Sequence, residues 1–520
     1  MTTDLTADTN IEPIKQPPST AGMTTKVVKG SLWTFGGQVL PVMVAFVSTP
    51  FVIRFLGSEA YGVLILVGLI PTYFSFADFG MGIASTKFAA EAYGEGDHDK
   101  ERRVVWTATA IASISAFVVA IPIFLFSSPI VASFNVPETL HVQASIALKI
   151  ASVSFIFGIF ASVVNSPMLA RLRMDLNTVT QAVPKILLGA VTPFILLFGG
   201  SIVAAVSWAL IVSIATLAVV FYFSGRLLPE FFRLAIDRKW ICPLITFGGA
   251  WLIAMIAGIL LGNFEKLALT RMISVKALAY YSIAFTFGNI STMFIQAMMQ
   301  SLIPAFSQLH LPERRQEFNM LFMRGIRLNL ILLLPGITFM VVIAKPFFTL
   351  WAGEEFGLES SIPFYVLAFG LFFSILSYIP HSTILASGRT DVFAKLYWLE
   401  LFFYAIVAVV LIHYFGIVGA AVAWSLRVAV DALIIMWLAY RIKRVPLGFL
   451  RHSSGLILGS AFLAPSIVFA AVYNNYLPWR VTVWAGGFVL YSVIIWKTYV
   501  EADERVWIKD RMQNLLRFAV

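Results

Sequence analysis

The 520-residue sequence has few charged residues and almost no cysteine. Charged residues make up 12% of the chain and apolar residues 59%, a composition too apolar for a soluble protein of this length. The single cysteine, Cys242, excludes an internal disulfide and any CxxC metal or redox motif. The six histidines are scattered and form no ligand cluster, so we expect neither a metal nor another cofactor.

Long apolar runs, by contrast, are abundant. A helix of about 20 apolar residues crosses the hydrocarbon core of a membrane, and about fourteen such runs predict an all-α polytopic membrane protein. The runs lie near residues 31–53, 62–86, 104–127, 143–165, 177–199, 201–224, 241–262, 278–304, 325–345, 362–386, 393–414, 416–439, 455–475 and 479–499.

The formal net charge is +10, and the positions of the basic residues indicate the membrane topology. Basic stretches such as "DKERR", "RLLPEFFRLAIDRK" and "RIKR" fall in every second connection, and cytoplasmic loops of membrane proteins are enriched in Lys and Arg. Both termini are therefore expected in the cytoplasm of a bacterial cell, and nucleic acid is not expected as a partner. The first 25 residues are polar and lack an apolar segment, which predicts a disordered tail and no signal peptide.

An internal duplication organises the chain. "GSIVAAVSWAL" at 200–210 matches "GIVGAAVAWSL" at 416–426, and upstream "LARLRMD" at 169–175 matches "LASGRTD" at 385–391 with the same offset. Helices 1–6 and 7–12 are thus predicted to form two parallel lobes, with helices 13 and 14 appended. The predicted boundaries are a tail at 1–25, lobes at 26–225 and 241–444, a linker at 226–240, the appended pair at 453–500 and a cytoplasmic tail at 501–520.

Several phrases resemble those of a known family. They are "RFLGSEAYGVL" after helix 1, "ADFG" in helix 2, "YYSIA" and "SLIPAFSQL" in helix 8, and "LASGRTD" through "GIVGAAVAW". The chain resembles bacterial oligosaccharide flippases for O-antigen and exopolysaccharide, in the multidrug/oligosaccharidyl-lipid/polysaccharide exporter superfamily. The resemblance covers about residues 26 to 440.

The resemblance implies two six-helix bundles around a cavity that opens alternately to the cytoplasm and the periplasm. The implied cargo is a polyprenyl-pyrophosphate-linked oligosaccharide moving across the inner membrane, and no covalent bond changes. Membrane lipids, H⁺ or Na⁺, and polysaccharide polymerase or assembly proteins are the further partners considered.

A pyrophosphate cargo requires cations at membrane depth, where ionisable residues are costly and mark functional sites. Lys185 and Arg427 are the deepest candidates for substrate binding, and neither has a charged counterpart in the other lobe. Lys149, nearer the membrane surface, is a third. Arg54, Arg271 and Lys266, with Lys276 nearby, are expected on the outer side, either to receive the pyrophosphate or to anchor helix ends.

Three acids are candidates for coupling to an ion. Asp78 is predicted well inside helix 2, Glu400 lies in helix 11, and Asp431 follows Arg427 by four residues. At that spacing Asp431 and Arg427 would share one helix face and neutralise each other.

Three alternatives remain. A drug or organic-cation antiporter of the same superfamily would favour acids in the cavity, whereas here cations outnumber acids at depth. A peptidoglycan-precursor flippase would also have fourteen helices. A membrane glycosyltransferase is suggested only by "DHD" at 97–99, which lies in a short loop and not in a nucleotide-binding domain.

The predicted topology can be tested by cysteine labelling. We predict that an Asp97→Cys variant, in a Cys242→Ser background, is not labelled by a membrane-impermeant maleimide added to intact cells, because the loop faces the cytoplasm. Labelling after permeabilisation is the control. Labelling in intact cells would overturn the topology.

Overall fold

The computed structural model describes residues 20–308, 315–387, 389–443, 445, 462–470 and 477–498. This part of the chain is almost entirely helical and contains no strand, which confirms the predicted all-α class. Residues 462–470 are helical. The other helices are α1 (Thr20–Tyr73), α2 (Met81–Glu95), α3 (His98–Leu125), α4 (Ser127–Ala132), α5 (Glu138–Val164), α6 (Ser166–Ala170), α7 (Met174–Leu197), α8 (Ile202–Leu227), α9 (Arg238–Met272), α10 (Val275–Gln308), α11 (Arg315–Ala352), α12 (Glu354–Glu359), α13 (Ser361–Ala386), α14 (Thr390–Lys443) and α15 (Leu477–Thr498).

Nine helical stretches in the described part of the chain are long and apolar enough to cross a membrane, so the protein is a multi-pass membrane protein. The count of fourteen crossings stays a prediction, because most of predicted helix 13 lies outside the described residues, as does the tail at 501–520. Residues 1–19 of the predicted N-terminal tail also lie outside them. α1 begins at Thr20, inside that predicted tail, since no proline follows until Pro41 to interrupt a helix.

Two of the long helices turn back sharply at a glycine. Gly57 interrupts α1 with a φ of 79°, and Gly416 interrupts α14 with a φ of 58°. Side chains other than glycine rarely adopt this left-handed region. Each glycine therefore allows two membrane crossings to follow one another without a loop.

Helix 2 is not the continuous helix that the sequence predicts. Residues Ser75–Asp78 form a single 3₁₀ turn, and Phe79 and Gly80 adopt positive φ values of 52° and 67° before α2 begins. The cause is local, because the Asp78 carboxylate accepts the backbone N–H of Gly80 at 2.8 Å and stabilises a turn in place of a helical hydrogen bond.

The helices pack in two groups with similar pairings, which we name the first helix set (α1–α8) and the second helix set (α9–α14). α1 packs on α7 and α5 on α8, while α9 and α13 both pack on α14. A short helix separates two long ones in each set, α4 between α3 and α5, and α12 between α11 and α13. The exact lobe boundaries stay a prediction.

α9 packs against both sets. Leu244 lies in an apolar cluster of the first set, with Trp240 packed against it, whereas Leu261 and Leu269 lie in the core of the second. The connection before α9 is also seated on the first set, because the indole N–H of Trp106 donates to the Phe231 carbonyl at 2.7 Å. α9 thus joins the two sets.

The two sets meet at one end of the bundle, which we call the closed end. Ser58 donates to a carboxylate oxygen of Glu355 at 3.1 Å. The Trp351 indole N–H donates to the Phe46 carbonyl at 3.0 Å, and the two rings stack with their centroids 5.2 Å apart. Polar and aromatic contacts therefore bring α1 against α11 and α12.

We predict that Gly248→Ala destabilises the protein by about 1–3 kcal/mol through overpacking. A methyl group there would lie 2.2 Å from the Phe79 carbonyl oxygen, so α9 would have to move away from the first set. Gly249→Ala is the matched control, since a methyl group at 249 meets no atom within 4 Å. Thermal unfolding of purified protein in detergent measures both; equal stability of the two variants would contradict the prediction.

Candidate substrate and ion sites

A buried carboxylate lies at the centre of the second helix set. Glu265 on α9 is completely buried. The hydroxyl groups of Tyr404 and Tyr281 donate to its two oxygens, at 2.7 and 3.3 Å respectively. Hydroxyl donors compensate the loss of water around a buried carboxylate.

The cluster continues along α14. Arg427 forms an ion pair with Glu400 at 3.6 Å, and both side chains are largely buried. The Arg427 guanidinium also lies over the Tyr404 ring, 5.3 Å from its centroid. Because α14 turns back at Gly416, residues from its two segments face each other, and Tyr404 connects this pair to Glu265.

Arg427 has a partner that the i+4 spacing does not indicate. The ion-pair partner of Arg427 is Glu400, which the turn of α14 brings closer than the neighbour on its own helix face. The Asp431 carboxyl lies beside that of Glu400. Within the described part of the chain, neither Glu400 oxygen nor Oδ1 of Asp431 has a hydrogen-bond donor.

A cavity of about 280 Å³ opens beside this pair. Its wall includes Glu400, Tyr404 and Arg427, while most other lining groups are apolar. Glu400 is the acid that this cavity adjoins.

Lys266 belongs to this region and not to the closed end, where the sequence grouped it with Arg54 and Arg271. Its ammonium group donates to Oδ1 of Asn263 at 2.9 Å and lies 4.6 Å from the Phe285 ring centroid.

We call this group the acidic cluster; its ionisable members are Glu265, Lys266, Glu400, Arg427 and Asp431. Three are acids and two are bases, so with all groups ionised its net charge is about −1. Acids therefore outnumber cations here, contrary to the sequence expectation for the spans. A buried net charge is costly in a membrane.

Arg54 and Arg271 are exposed at the closed end. Arg54 donates to the Leu350 carbonyl at 3.4 Å, which fits the anchoring alternative. Lys276, nearby, is paired with Glu355, and the hydrogen bond that its ammonium group donates to this carboxylate raises the pKa of Lys276. The structure does not gather these cations into one site.

Lys185 is exposed on α7. It precedes Leu188 by one turn and Thr192 by two, and both of those residues line a cavity of about 520 Å³ within the first helix set. The hydroxyl groups of Thr72 and Ser154 also line this otherwise mostly apolar cavity. Lys185 forms no ion pair with any residue that the structure describes.

The remaining predicted residues have local partners. Lys149 is half-buried, and its ammonium group lies 5.7 Å from the Phe124 ring centroid on α3, away from the residues that line the cavity. Asp78 is committed to the turn before α2. The structure therefore brings Arg427, Glu400, Asp431 and Lys266 together and leaves Lys185 separate.

Sequence reasoning missed Glu265, Tyr281 and Tyr404. The predicted helix 7 ended at residue 262, which placed Glu265 beyond the membrane, whereas α9 continues to Met272. The available signal was the apolar stretch after Lys266, which extends the helix by another two turns.

The "DHD" aspartates have structural roles. Asp97 accepts the backbone N–H of Lys100 at 2.8 Å and caps α3. Asp99 forms ion pairs with Arg102 and Arg103. Among the described residues, no group of three His, Cys, Asp or Glu side chains could hold a metal ion. These contacts give no support to a nucleotide-sugar site.

The helical, multi-pass fold with buried ionisable groups is that of a membrane transporter. Residues 27–310 match the family model described as "Polysaccharide biosynthesis protein". Because the match covers more than half of the chain, the protein belongs to this family. The resemblance predicted from the sequence phrases is thereby confirmed.

Two relatives match along most of their length. A Shigella flexneri protein, whose name describes it as an O-antigen transporter, is 22% identical over 81% of this chain and 99% of its own. The succinoglycan biosynthesis transport protein of Rhizobium meliloti is 23% identical over 82% of each chain. Both names describe transport and not catalysis.

Two solved structures share the fold. The lipid II flippase MurJ, in an inward closed conformation, matches with a TM-score of 0.71 and 14% identity over 91% of this chain and all of its own. An inward-facing multidrug resistance transporter of the MATE family, in the MOP superfamily, matches with a TM-score of 0.66 and 12% identity over 79% of this chain and 95% of its own. At these identities the likeness concerns the fold alone.

Proposed function

We propose that the protein is a flippase that moves a polyprenyl-pyrophosphate-linked oligosaccharide from the cytoplasmic to the periplasmic leaflet of the bacterial inner membrane. Both termini lie in the cytoplasm, and the two helix sets alternate access to the substrate. The names of the relatives support the class of cargo. The single observation that carries the proposal is Lys185, a lysine without an ion-pair partner among the described residues, on the helix that contributes Leu188 and Thr192 to the cavity of the first helix set.

Lys185 is suited to the anionic part of this cargo. An ammonium group inside a membrane span is costly unless an anion neutralises it, and a pyrophosphate diester supplies about two negative charges. Hydroxyl groups such as those of Thr72 and Ser154 in the cavity wall are donors and acceptors for a sugar. The isoprenoid chain stays in the lipid.

Charge reversal at this position tests the proposal. We predict that Lys185→Glu reduces surface polysaccharide in cells by at least about tenfold, because an acid then faces the pyrophosphate; this loss corresponds to about 1.4 kcal/mol. Lys149→Glu is the matched control, since Lys149 is also a lysine in a span but lies against Phe124. Membrane levels of both variants are compared with the wild type. Normal polysaccharide with Lys185→Glu would remove this residue from the site.

We further propose that the acidic cluster takes up a cation, H⁺ or Na⁺, during the cycle, with Glu400 and Asp431 as its carriers. The cluster has one acid more than it has bases, and the adjacent carboxyl oxygens of Glu400 and Asp431 lack donors. One bound cation would neutralise the excess charge. Asp78 is the weaker carrier, because its carboxylate already holds the backbone N–H of Gly80.

Removal of the excess acid tests ion coupling. We predict that with Asp431→Asn, in proteoliposomes, substrate translocation no longer accelerates when a pH or sodium gradient is imposed, because the remaining charges of the cluster balance. Asp78→Asn is the control and should keep the wild-type response. If Asp431→Asn responds to the gradients as the wild type does, the cluster is not the coupling site.

The excess of acid also favours a second candidate, an antiporter of organic cations, which the MATE-type fold could serve. In that case the acidic cluster would bind the cargo directly. Its disruption would then raise drug sensitivity without reducing surface polysaccharide. The MurJ fold similarly permits a peptidoglycan-precursor flippase, and deletion would then stop cell-wall synthesis instead of surface polysaccharide synthesis.

A further inference from the structure

The connection between α9 and α10 is held by one residue of the first helix set. α9 ends at Met272 and α10 begins at Val275, so the groups at this break lack partners within their own helices. The backbone N–H of Asn135, in the loop between α4 and α5, donates to the Thr270 carbonyl at 3.2 Å. The Asn135 carbonyl in turn accepts the N–H of Val275 at 3.4 Å.

The side-chain amide of Asn135 adds two hydrogen bonds. Nδ2 donates to the carbonyl oxygens of Arg271 at 3.0 Å and Ile273 at 3.2 Å. One residue thus makes four hydrogen bonds between the helix sets, and three of them are accepted by carbonyl groups at the end of α9. We call this group the Asn135 clasp.

Apolar contacts hold the same connection in place. Val275 and Leu278 are completely buried, although they belong to the second helix set, and they lie in an apolar cluster of the first set. Val136, the residue after Asn135, belongs to the same cluster. Separation of the sets at the closed end would therefore break the clasp and, at the same time, expose this apolar surface.

The position of the clasp makes it suitable for repeated opening. Asn135, Arg271 and Ile273 are all exposed, so water can replace the two side-chain hydrogen bonds of Asn135 when the sets separate. A hydrogen bond exchanged for one with water contributes only modestly to stability, unlike a buried charge left without a partner.

We propose that Asn135 is a positioning residue that sets the balance between the closed and open conformations of this end. Its side-chain amide stabilises the closed conformation and is released when the end opens. The inference rests on the alternating access in the proposed function, but it concerns the conformational equilibrium and not the cargo.

A buried position next to the clasp reports on opening. In a Cys242→Ser background, the Val275→Cys variant carries a thiol that a maleimide can reach only when the closed end opens. In purified protein in nanodiscs, we expect Asn135→Ala to raise the labelling rate roughly tenfold. Loss of the side-chain amide shifts the conformational equilibrium toward the open conformation by about that factor. Asn135→Asp should do the same, because its carboxylate cannot donate to the two carbonyl groups.

Two controls separate the clasp from general loosening. Ser133→Ala removes a hydrogen bond from the start of the same loop to the Ile130 carbonyl of α4 and should leave labelling unchanged. Asn135→Gln keeps the amide and should label more slowly than Asn135→Ala. Spin labels at Thr139 and Leu358 provide a second measurement, with a larger population of long distances in Asn135→Ala.

The outcomes are distinct from those of the transport experiments. Wild-type labelling rates and spin-label distances in Asn135→Ala would overturn the clasp, as would equally fast labelling with Ser133→Ala. If labelling responds as expected while surface polysaccharide does not depend on the protein, the clasp stands and the proposed cargo is wrong.

Discussion

The hydrocarbon core of a membrane offers no hydrogen-bond partner and poorly solvates charge, so the protein must compensate each polar group that enters it. Most buried charges here obey this constraint. Glu265 is completely buried and held by two tyrosine hydroxyl groups. Charged groups without such a partner are informative, because a ligand, an ion or water has to neutralise or solvate them.

Two sites of opposite charge lie in different helix sets. Lys185, in the first set, is a cation with no ion-pair partner among the described residues. Glu400 and Asp431, in the second, are neighbouring acids that share one arginine. On the proposed function, an anionic cargo binds in one set and a small cation in the other. The two binding events can then affect each other only through contacts between the sets.

Those contacts are concentrated in α9 and the closed end. α9 packs in the core of both sets, and the hydroxyl group of Tyr73, in the first set, donates to the Asn263 carbonyl near Glu265. Under the proposed ion coupling, a change of charge in the acidic cluster would act on a helix that already contacts the opposite set. This arrangement provides a physical route between ion binding and movement of the helix sets.

The sequence predicted the features that depend on composition and spacing: the all-α class, the long apolar runs and the rarity of charges at depth. It did not predict contacts that depend on how a helix turns. Arg427 and Glu400 meet because α14 reverses at Gly416, which no i+4 spacing indicates. Glu265 was missed because the predicted helix 7 ended at residue 262, and the turn at Asp78 because one side-chain hydrogen bond outweighs an apolar pattern.

The most direct test of the central claim is translocation by the purified protein in liposomes that contain a labelled polyprenyl-pyrophosphate-linked oligosaccharide. When about two negative charges move across about 100 mV away from the negative side, roughly 4.6 kcal/mol of free energy is released. This energy favours outward over inward movement of the cargo by more than about 10³-fold. We predict protein-dependent translocation that accelerates under this potential and slows when it is reversed. Translocation no faster than in protein-free liposomes would contradict the account. If the rate does not depend on either potential but responds to a pH or sodium gradient, the transport step is an electroneutral exchange and is not driven by the charge of the cargo.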